Sequence, residues 1–117
     1  MEIRTILISE LADFVKSNLY KKTKNCPITI HRAISQSKNP RADQNDPALI
    51  IAVEKENIVG YIGFLPDKIN DSKVYWNSCW WVDEKYKTIA IPLLLKFIKE
   101  GDEKIILTDF TPHTKDI

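Results

Sequence analysis

The chain has 117 residues, 44% of them hydrophobic and 28% charged, which is the profile of one globular domain with one core. Seventeen Lys and Arg against sixteen Asp and Glu leave a net charge of +1, with no clustered basic face of the kind that holds a phosphate backbone or an anionic membrane. The longest apolar run, Ile89 to Leu95 with Pro92 inside it, falls far short of the roughly 20 residues of a membrane span, so neither nucleic acid nor membrane is an expected partner.

The N-terminal stretch carries Glu2, Glu10 and Asp13 and lacks a small-residue cleavage site, which makes a cytoplasmic protein the expectation. Cys26 and Cys79 have no CxxC or Cys/His ligand spacing, and His31 and His113 stand apart from both. Neither a metal site nor a structural disulfide is expected from them.

In chain order, a short strand at Ile3 to Leu7 leads into Ile8, Leu11, Ala12, Val15 and Leu19, a helical spacing that predicts one amphipathic helix with Ser9 as its cap. That helix ends near Lys21, Lys22 and Lys24, cations suited to the negative end of a helix dipole. A second helix, from about Thr29 to Ser37, is predicted to bury Ile30, Ala33 and Ile34 and to stop at Asn39-Pro40. Asn39 to Pro47 reads as a polar loop that borders a cleft. Ala48 to Val53 and Ile58 to Leu65 then read as an antiparallel hairpin around a turn at Glu54 to Asn57. Gly60 and Gly63 within its second strand signal a bulge or a close backbone approach.

Pro66 to Lys73 reads as a further loop, followed by the aromatic strand Val74 to Val82. Alternation assigns Tyr75, Asn77, Cys79 and Trp81 to one face of it and Trp76, Ser78, Trp80 and Val82 to the other. So many indoles in one strand predict a central position covered by helices on at least one face. After a polar turn at Asp83 to Lys87, Ile91, Leu94, Leu95 and Ile98 mark a buried helix whose stripe Leu93 and Phe97 widen. Gly101 is its expected C′ residue. Lys104 to Asp109 is the last strand, and the strand, helix, strand order implies that it runs parallel to the aromatic one. The fold class is therefore mixed α/β with the order β-α-α-β-β-β-α-β, antiparallel middle strands and a parallel last pair.

A turn feeding directly into a helix start offers unpaired backbone N–H groups at the positive end of a dipole, a cradle for a pyrophosphate. The residues there, WVDEKYKTIAIPLLL (Trp81 to Leu95), resemble the acyl-CoA pyrophosphate signature of the GCN5-related N-acetyltransferase (GNAT) family, and VGYIGFLPD (Val59 to Asp67) resembles that family's paired middle strands. In the resemblance Lys87 takes the Arg/Gln position, Ala90 the first Gly, and Pro92, which has no N–H, the Gly/Ala position. The resemblance implies acetyl-CoA or another acyl-CoA as cofactor, bound by Trp81, Val82, Lys87, Thr88, Ile89, Ala90, Ile91 and Pro92. It implies a slot between the last two strands for the pantetheine arm, and a backbone N–H near Trp81 and Val82 polarising the thioester carbonyl.

The expected reaction is acyl transfer to a small-molecule or peptide amine. Asp83, Glu84 and Asp109 are the candidate bases, each also readable as a solvated turn carboxylate, so no catalytic residue is assigned; Cys79 reads as a buried thiol rather than an acyl acceptor. The family continues past the parallel strand with a helix and a closing hairpin that supply a leaving-group tyrosine, for which this chain has no matching residue. The sequence thus reads as the N-terminal part of an acyltransferase. The alternatives are a catalytically inactive module that binds a CoA-type ligand or a protein partner, and a domain that completes its sheet by pairing its exposed edge with a second copy.

Overall fold

The computed structural model describes residues 1–101 and 104–106. Strand β1 (Glu2–Leu7) is followed by a 3-10 turn (Ile8–Glu10) and two short helices, α1 (Leu11–Phe14) and α2 (Asn18–Lys22). The continuous helix expected from Ile8 to Leu19 is broken because the Ser17 hydroxyl donates to the Phe14 carbonyl at 2.6 Å and accepts from the Tyr20 N–H at 3.2 Å. One side chain closes α1 and caps α2, so the cap is Ser17 and not Ser9. Helix α3 (Ile30–Ser37) begins where expected, with the Thr29 hydroxyl accepting from the Arg32 N–H at 3.1 Å. It packs on α1 through fully buried Ala33, while Ile30 and Ile34 are 53% and 45% exposed, contrary to expectation. A small residue at the contact brings the helix close, and the two isoleucines then flank the contact instead of filling it.

Strands β2 (Pro47–Glu54), β3 (Asn57–Ile69) and β4 (Ser72–Val82) form an antiparallel meander next to β1. Lys55-Glu56 and Asn70-Asp71, all at positive φ between 51° and 66°, make its two tight turns, the geometry that a two-residue hairpin requires. The loop expected at Pro66 to Lys73 is instead ladder, with Pro66 opposite Tyr75 and Asp67 opposite Val74. Pro66 is tolerated because β2 pairs with β3 only as far as Gly63, which leaves β3 a free edge there for a residue without an N–H. Helix α4 (Ala90–Gly101) then leads to β5 (Ile105–Ile106), parallel to β4 through the pairs Tyr75 with Ile105 and Trp76 with Ile106. The rest of the strand expected to reach Asp109 lies outside the described residues.

Apolar side chains fill both faces of the sheet. Ile6, Ile8, Leu11, Phe14, Ala33, Leu49 and Ile51 pack on the α1–α3 side, and Ile50, Ala52, Ile62, Phe64, Leu93 and Phe97 on the α4 side. The buried stripe of α4 is Ala90, Leu93, Phe97 and Gly101, whereas Ile91 and Leu95 are 61% exposed and Ile98 43%. Phe97 stacks on Phe64 at 4.2 Å between ring centroids, which sets the helix rotation in favour of the narrower stripe. Gly101 is the last helical residue rather than a left-handed C′, and a Cβ there would collide with the Ile105 side chain. It serves close approach of α4 to β5.

Candidate functional site

The register of β3 and β4 slips once. Gly63 faces Cys79 and Phe64 faces Asn77, so Ser78 has no counterpart and β4 carries a bulge. The bulge reverses the alternation expected along the strand. Tyr75, Trp80 and Val82 belong to the α4 side, while Cys79 packs on the α1–α3 side and Trp81 lies 5.4 Å from the Tyr61 ring. The Asn77 side-chain amide donates to the Cys79 carbonyl at 3.1 Å and to the Gly63 carbonyl at 3.5 Å, spanning the slip. A Cβ on Gly63 would run into the Ser78 hydroxyl and come within 2.8 Å of Cys79 Sγ, so the bulge needs a glycine opposite it.

Beyond Trp76 no described strand pairs with the outer edge of β4. At its far end the Asp83 N–H donates to the Val59 carbonyl at 2.7 Å, and the Asp83 carboxylate accepts from the Lys85 N–H at 2.9 Å. A 3-10 segment (Glu84–Ile89) then runs into α4. The start of α4 is seated on β3 at Gly60, opposite Val82, where a Cβ would meet Ile89 Cδ1 at 2.8 Å and Leu93 Cδ1 at 3.0 Å. Both glycines singled out in the sequence thus have structural work: Gly60 allows the close approach and Gly63 faces the bulge.

No family model matches the sequence, and neither does any curated protein. Solved structures match it over nearly its whole length. An aminoglycoside acetyltransferase from an uncultured soil metagenomic sample, in complex with sisomicin, matches with a TM-score of 0.58 at 15% identity over 94% of this chain and 78% of that one. Glucosamine-6-phosphate N-acetyltransferase from Arabidopsis thaliana matches at 0.57 and 16%, over 94% and 82%. AAC(6')-Iy, in complex with the bisubstrate analogue CoA-S-monomethyl-acetylneamine, matches at 0.55 and 16%, over 98% and 82%. The chain has the GNAT acetyltransferase fold.

In this GNAT fold the expected cofactor residues gather where β4 ends and α4 begins, but their side chains diverge. Val82, Ile89 and Ala90 are buried in the core, whereas Lys87, Thr88, Ile91 and Pro92 face solvent. Lys87 lies 3.8 Å from Glu84. The Ala90 N–H donates to the Lys87 carbonyl, and Thr88 and Ile89 lie within the 3-10 segment itself, so the cradle expected from Thr88, Ile89, Ala90 and Ile91 is in part engaged by the chain's own bonding. The donor set still suits a pyrophosphate, because Thr88 and Lys87 stand exposed at a helix start that small, buried Ala90 lets settle onto the sheet.

Among the candidate bases, Asp83 is engaged as a cap, Glu84 is an exposed partner of Lys87, and Asp109 lies outside the described residues. Burial raises the Cys79 thiol pKa, which keeps it protonated. Cys26 and Cys79 are both free thiols. Tyr61, which the sequence reading passed over, is pushed up to about 12, first by burial and then by the nearby Cys79 and Cys26. It is a protonated phenol at neutral pH.

Two cavities lie on the α3 side. One of about 10 Å³ sits beneath Ser78 and Cys79 and reaches Arg32 and Gln36, and one of about 460 Å³ lies between the end of α3, residues 38–41 and β3. Gln36 and Leu65 line both. The periodicities of α3 and β3 carry no sign of this juxtaposition, because the walls come from segments about 30 residues apart, joined by the Asn39 side-chain amide donating to the Pro66 carbonyl. No described helix is long and apolar enough to cross a membrane.

Proposed function

We propose that the chain is an N-acyltransferase, or the N-terminal part of one, that transfers the acyl group of acetyl-CoA or a related thioester to an amine. The observation that carries this reading is the bulge at Ser78 on a strand, β4, that leads directly to the start of α4. The GNAT fold of N-acetyltransferases supports it, as does the CoA-type analogue in the AAC(6')-Iy complex. Acetyl-CoA supplies the activated acyl group. Lys87 and Thr88 would hold its pyrophosphate, and the main chain of Trp81 and Val82 would pair with its pantetheine arm. Asn77 and Gly63 keep the bulge in shape, so that its main-chain groups are pre-arranged.

The protein's contribution is positioning. Among the described residues the two cavities beside the bulge contain one carboxylate, Asp67, and it is engaged by the Lys68 N–H, Trp76 and Arg41. A second reading, a module that binds a CoA-type ligand without transfer, is favoured by Pro92, which has no N–H, and by the engaged Ala90 amide. A cytoplasmic location and pairing with a second copy through an exposed sheet edge belong to the proposal as well.

Thermal-shift titration with acetyl-CoA tests the binding. A site of about 10 μM affinity adds roughly 2.7 kcal/mol at 1 mM ligand, and the absence of a shift there would refute cofactor binding. Thr88→Glu should weaken the shift at least tenfold in ligand concentration. Release of free CoA thiol in the presence of an amine separates the two readings.

A further inference from the structure

We infer that the larger cavity on the α3 side binds the anionic end of the acceptor, so that the substrate is a small amine carrying a carboxylate or phosphate at some distance from its nitrogen. The inference rests on the acyl-transfer reading for the amine's role, but the cavity's preference for an anion stands on its own lining. The cavity is an open groove of about 460 Å³, bounded by exposed Ser35, Lys38, Pro40 and Arg41 on one side and by Leu65, Pro66 and Asp67 on the other. Through Gln36 and Leu65 it adjoins the small cavity beneath Ser78 and Cys79, which places it beside the bulge on β4.

Its lining is rich in donors. Lys38 and Arg41 bring two cations, and Arg32 adds a third from the adjoining cavity. Among the described residues Arg32 and Lys38 make no ion pair. The opposing charge is Asp67, whose carboxylate accepts from the Lys68 N–H at 2.8 Å and from Trp76 Nε1 at 3.1 Å and lies 3.3 Å from Arg41. Its pair with Arg41 offsets one of the two cations, which leaves the lining of this cavity with one net positive charge, that of Lys38. Asn39 fixes that wall by donating to the Pro66 carbonyl at 3.1 Å and to Gln36 Oε1 at 3.2 Å while its own Oδ1 accepts from the Arg41 N–H at 2.9 Å. Gln36 therefore keeps its amide N–H groups, and Ser35 its hydroxyl, for a ligand. A planar guanidinium, an ammonium and neutral donors around one space suit a carboxylate or phosphate and disfavour a polycation.

The test is a titration of the ¹⁵N-labelled chain, without cofactor, followed by amide chemical shifts. The probes are 4-aminobutylphosphonate, 4-aminobutyrate and 1,4-diaminobutane, which share a primary amine and differ in the charge at the far end. Saturable shifts at Ser35, Gln36, Asn39 and Arg41 are expected with the two anionic probes, with at least fivefold weaker binding of the diamine. The phosphonate and carboxylate arms show which anion is preferred. Lys38→Gln should weaken the better anionic probe at least threefold with an unchanged melting temperature, and Arg41→Gln should do so at least fivefold.

Equal or tighter binding of the diamine overturns the inference, as does a shift pattern that leaves residues 35–41 untouched. Acetyl-CoA binding, measured separately, distinguishes the two failures. Binding of acetyl-CoA with no anionic-probe response at residues 35–41 defeats this inference alone, whereas an anionic-probe response without acetyl-CoA binding defeats the acyl-transfer reading and leaves the anion site standing.

Discussion

Removing the Asp46 carboxylate should cost the domain more than its single side chain suggests. Asp46 ends the segment that follows α3, and its Oδ2 lies 2.5 Å from Lys73 Nζ and accepts from the Asp43 N–H at 2.8 Å, while Oδ1 accepts from the Tyr75 hydroxyl at 2.8 Å. The two charged side chains are 10% and 13% exposed. Breaking a buried pair from one side costs about 3–5 kcal/mol. Lys73 retains an exposed second partner, Asp43, at 3.1 Å, so Asp46→Ala is expected to cost about 2–4 kcal/mol.

Urea denaturation measures this difference, and the double variant Asp46→Ala/Lys73→Met should recover at least ~1 kcal/mol by removing the stranded ammonium. Burial alone would raise the Asp46 pKa, but hydrogen bonds from Lys73, the Asp43 amide and Tyr75 outweigh it and hold the carboxyl below its ordinary range. A depressed folded pKa gives stability that is complete above the unfolded value of about 3.9 and is lost as pH falls through the folded one. The deficit of Asp46→Asn relative to wild type should accordingly be large at pH 7 and shrink below about pH 4. A cost under ~1 kcal/mol for Asp46→Ala, or no recovery in the double variant, would refute the buried-pair account.

Four further outcomes are expected. Leu93→Ala should lose about 2–5 kcal/mol, whereas Leu95→Lys, on the exposed side of α4, should stay within about 0.5 kcal/mol; equal costs in urea denaturation would reverse the assignment of the buried stripe. Gly60→Val should destabilise by about 1–3 kcal/mol through overpacking against Ile89 and Leu93, with a parallel loss of acetyl-CoA thermal shift because the start of α4 is displaced. Deleting Ser78 restores a regular β3–β4 ladder and should abolish the acetyl-CoA shift while a cooperative melting transition remains; an undiminished shift would dissociate the bulge from binding. Lys73 has a pKa raised by its carboxylate partners against the lowering effect of burial, so its contribution is present below about pH 10.5 and should fade as pH rises through the folded value, read as a falling melting temperature in alkaline buffers.

The succession of strands along the chain, the parallel last pair and the extent of α3 were legible in the sequence because each rests on one local pattern. The misreadings occur where two patterns overlap. Ile91, Leu94, Leu95 and Ile98 and the set Ala90, Leu93 and Phe97 are both good helical stripes, and hydrophobicity alone cannot rank them. The choice falls to partners remote in sequence, Gly60 under Leu93 and Phe64 against Phe97. Similarly, apolar spacing continues unbroken from Leu11 to Leu19 although Ser17 ends one helix and starts another. Around Pro66 to Lys73, residues typical of loops sit in a paired ladder because an edge strand tolerates a proline and Asn70-Asp71 confine the turn to two residues.

The same contrast divides the site. The helix-start half of the proposed site is a pattern the sequence offers directly, since a strand end, an acidic turn and an apolar helix follow one another in Trp81 to Leu95. Its bulge half was hidden, since an extra residue leaves the composition of a strand unchanged and only shifts which side chains share a face. Gly63 was the available signal, for a glycine opposite the slip admits the Ser78 hydroxyl and Cys79 Sγ where a Cβ would otherwise sit. The two halves are mechanically linked through β3, where Gly60 seats the start of α4 and Gly63, three residues on, faces the bulge. A substitution at either glycine should therefore disturb both ends of an extended ligand along β4, whereas Thr88→Glu should disturb one end alone.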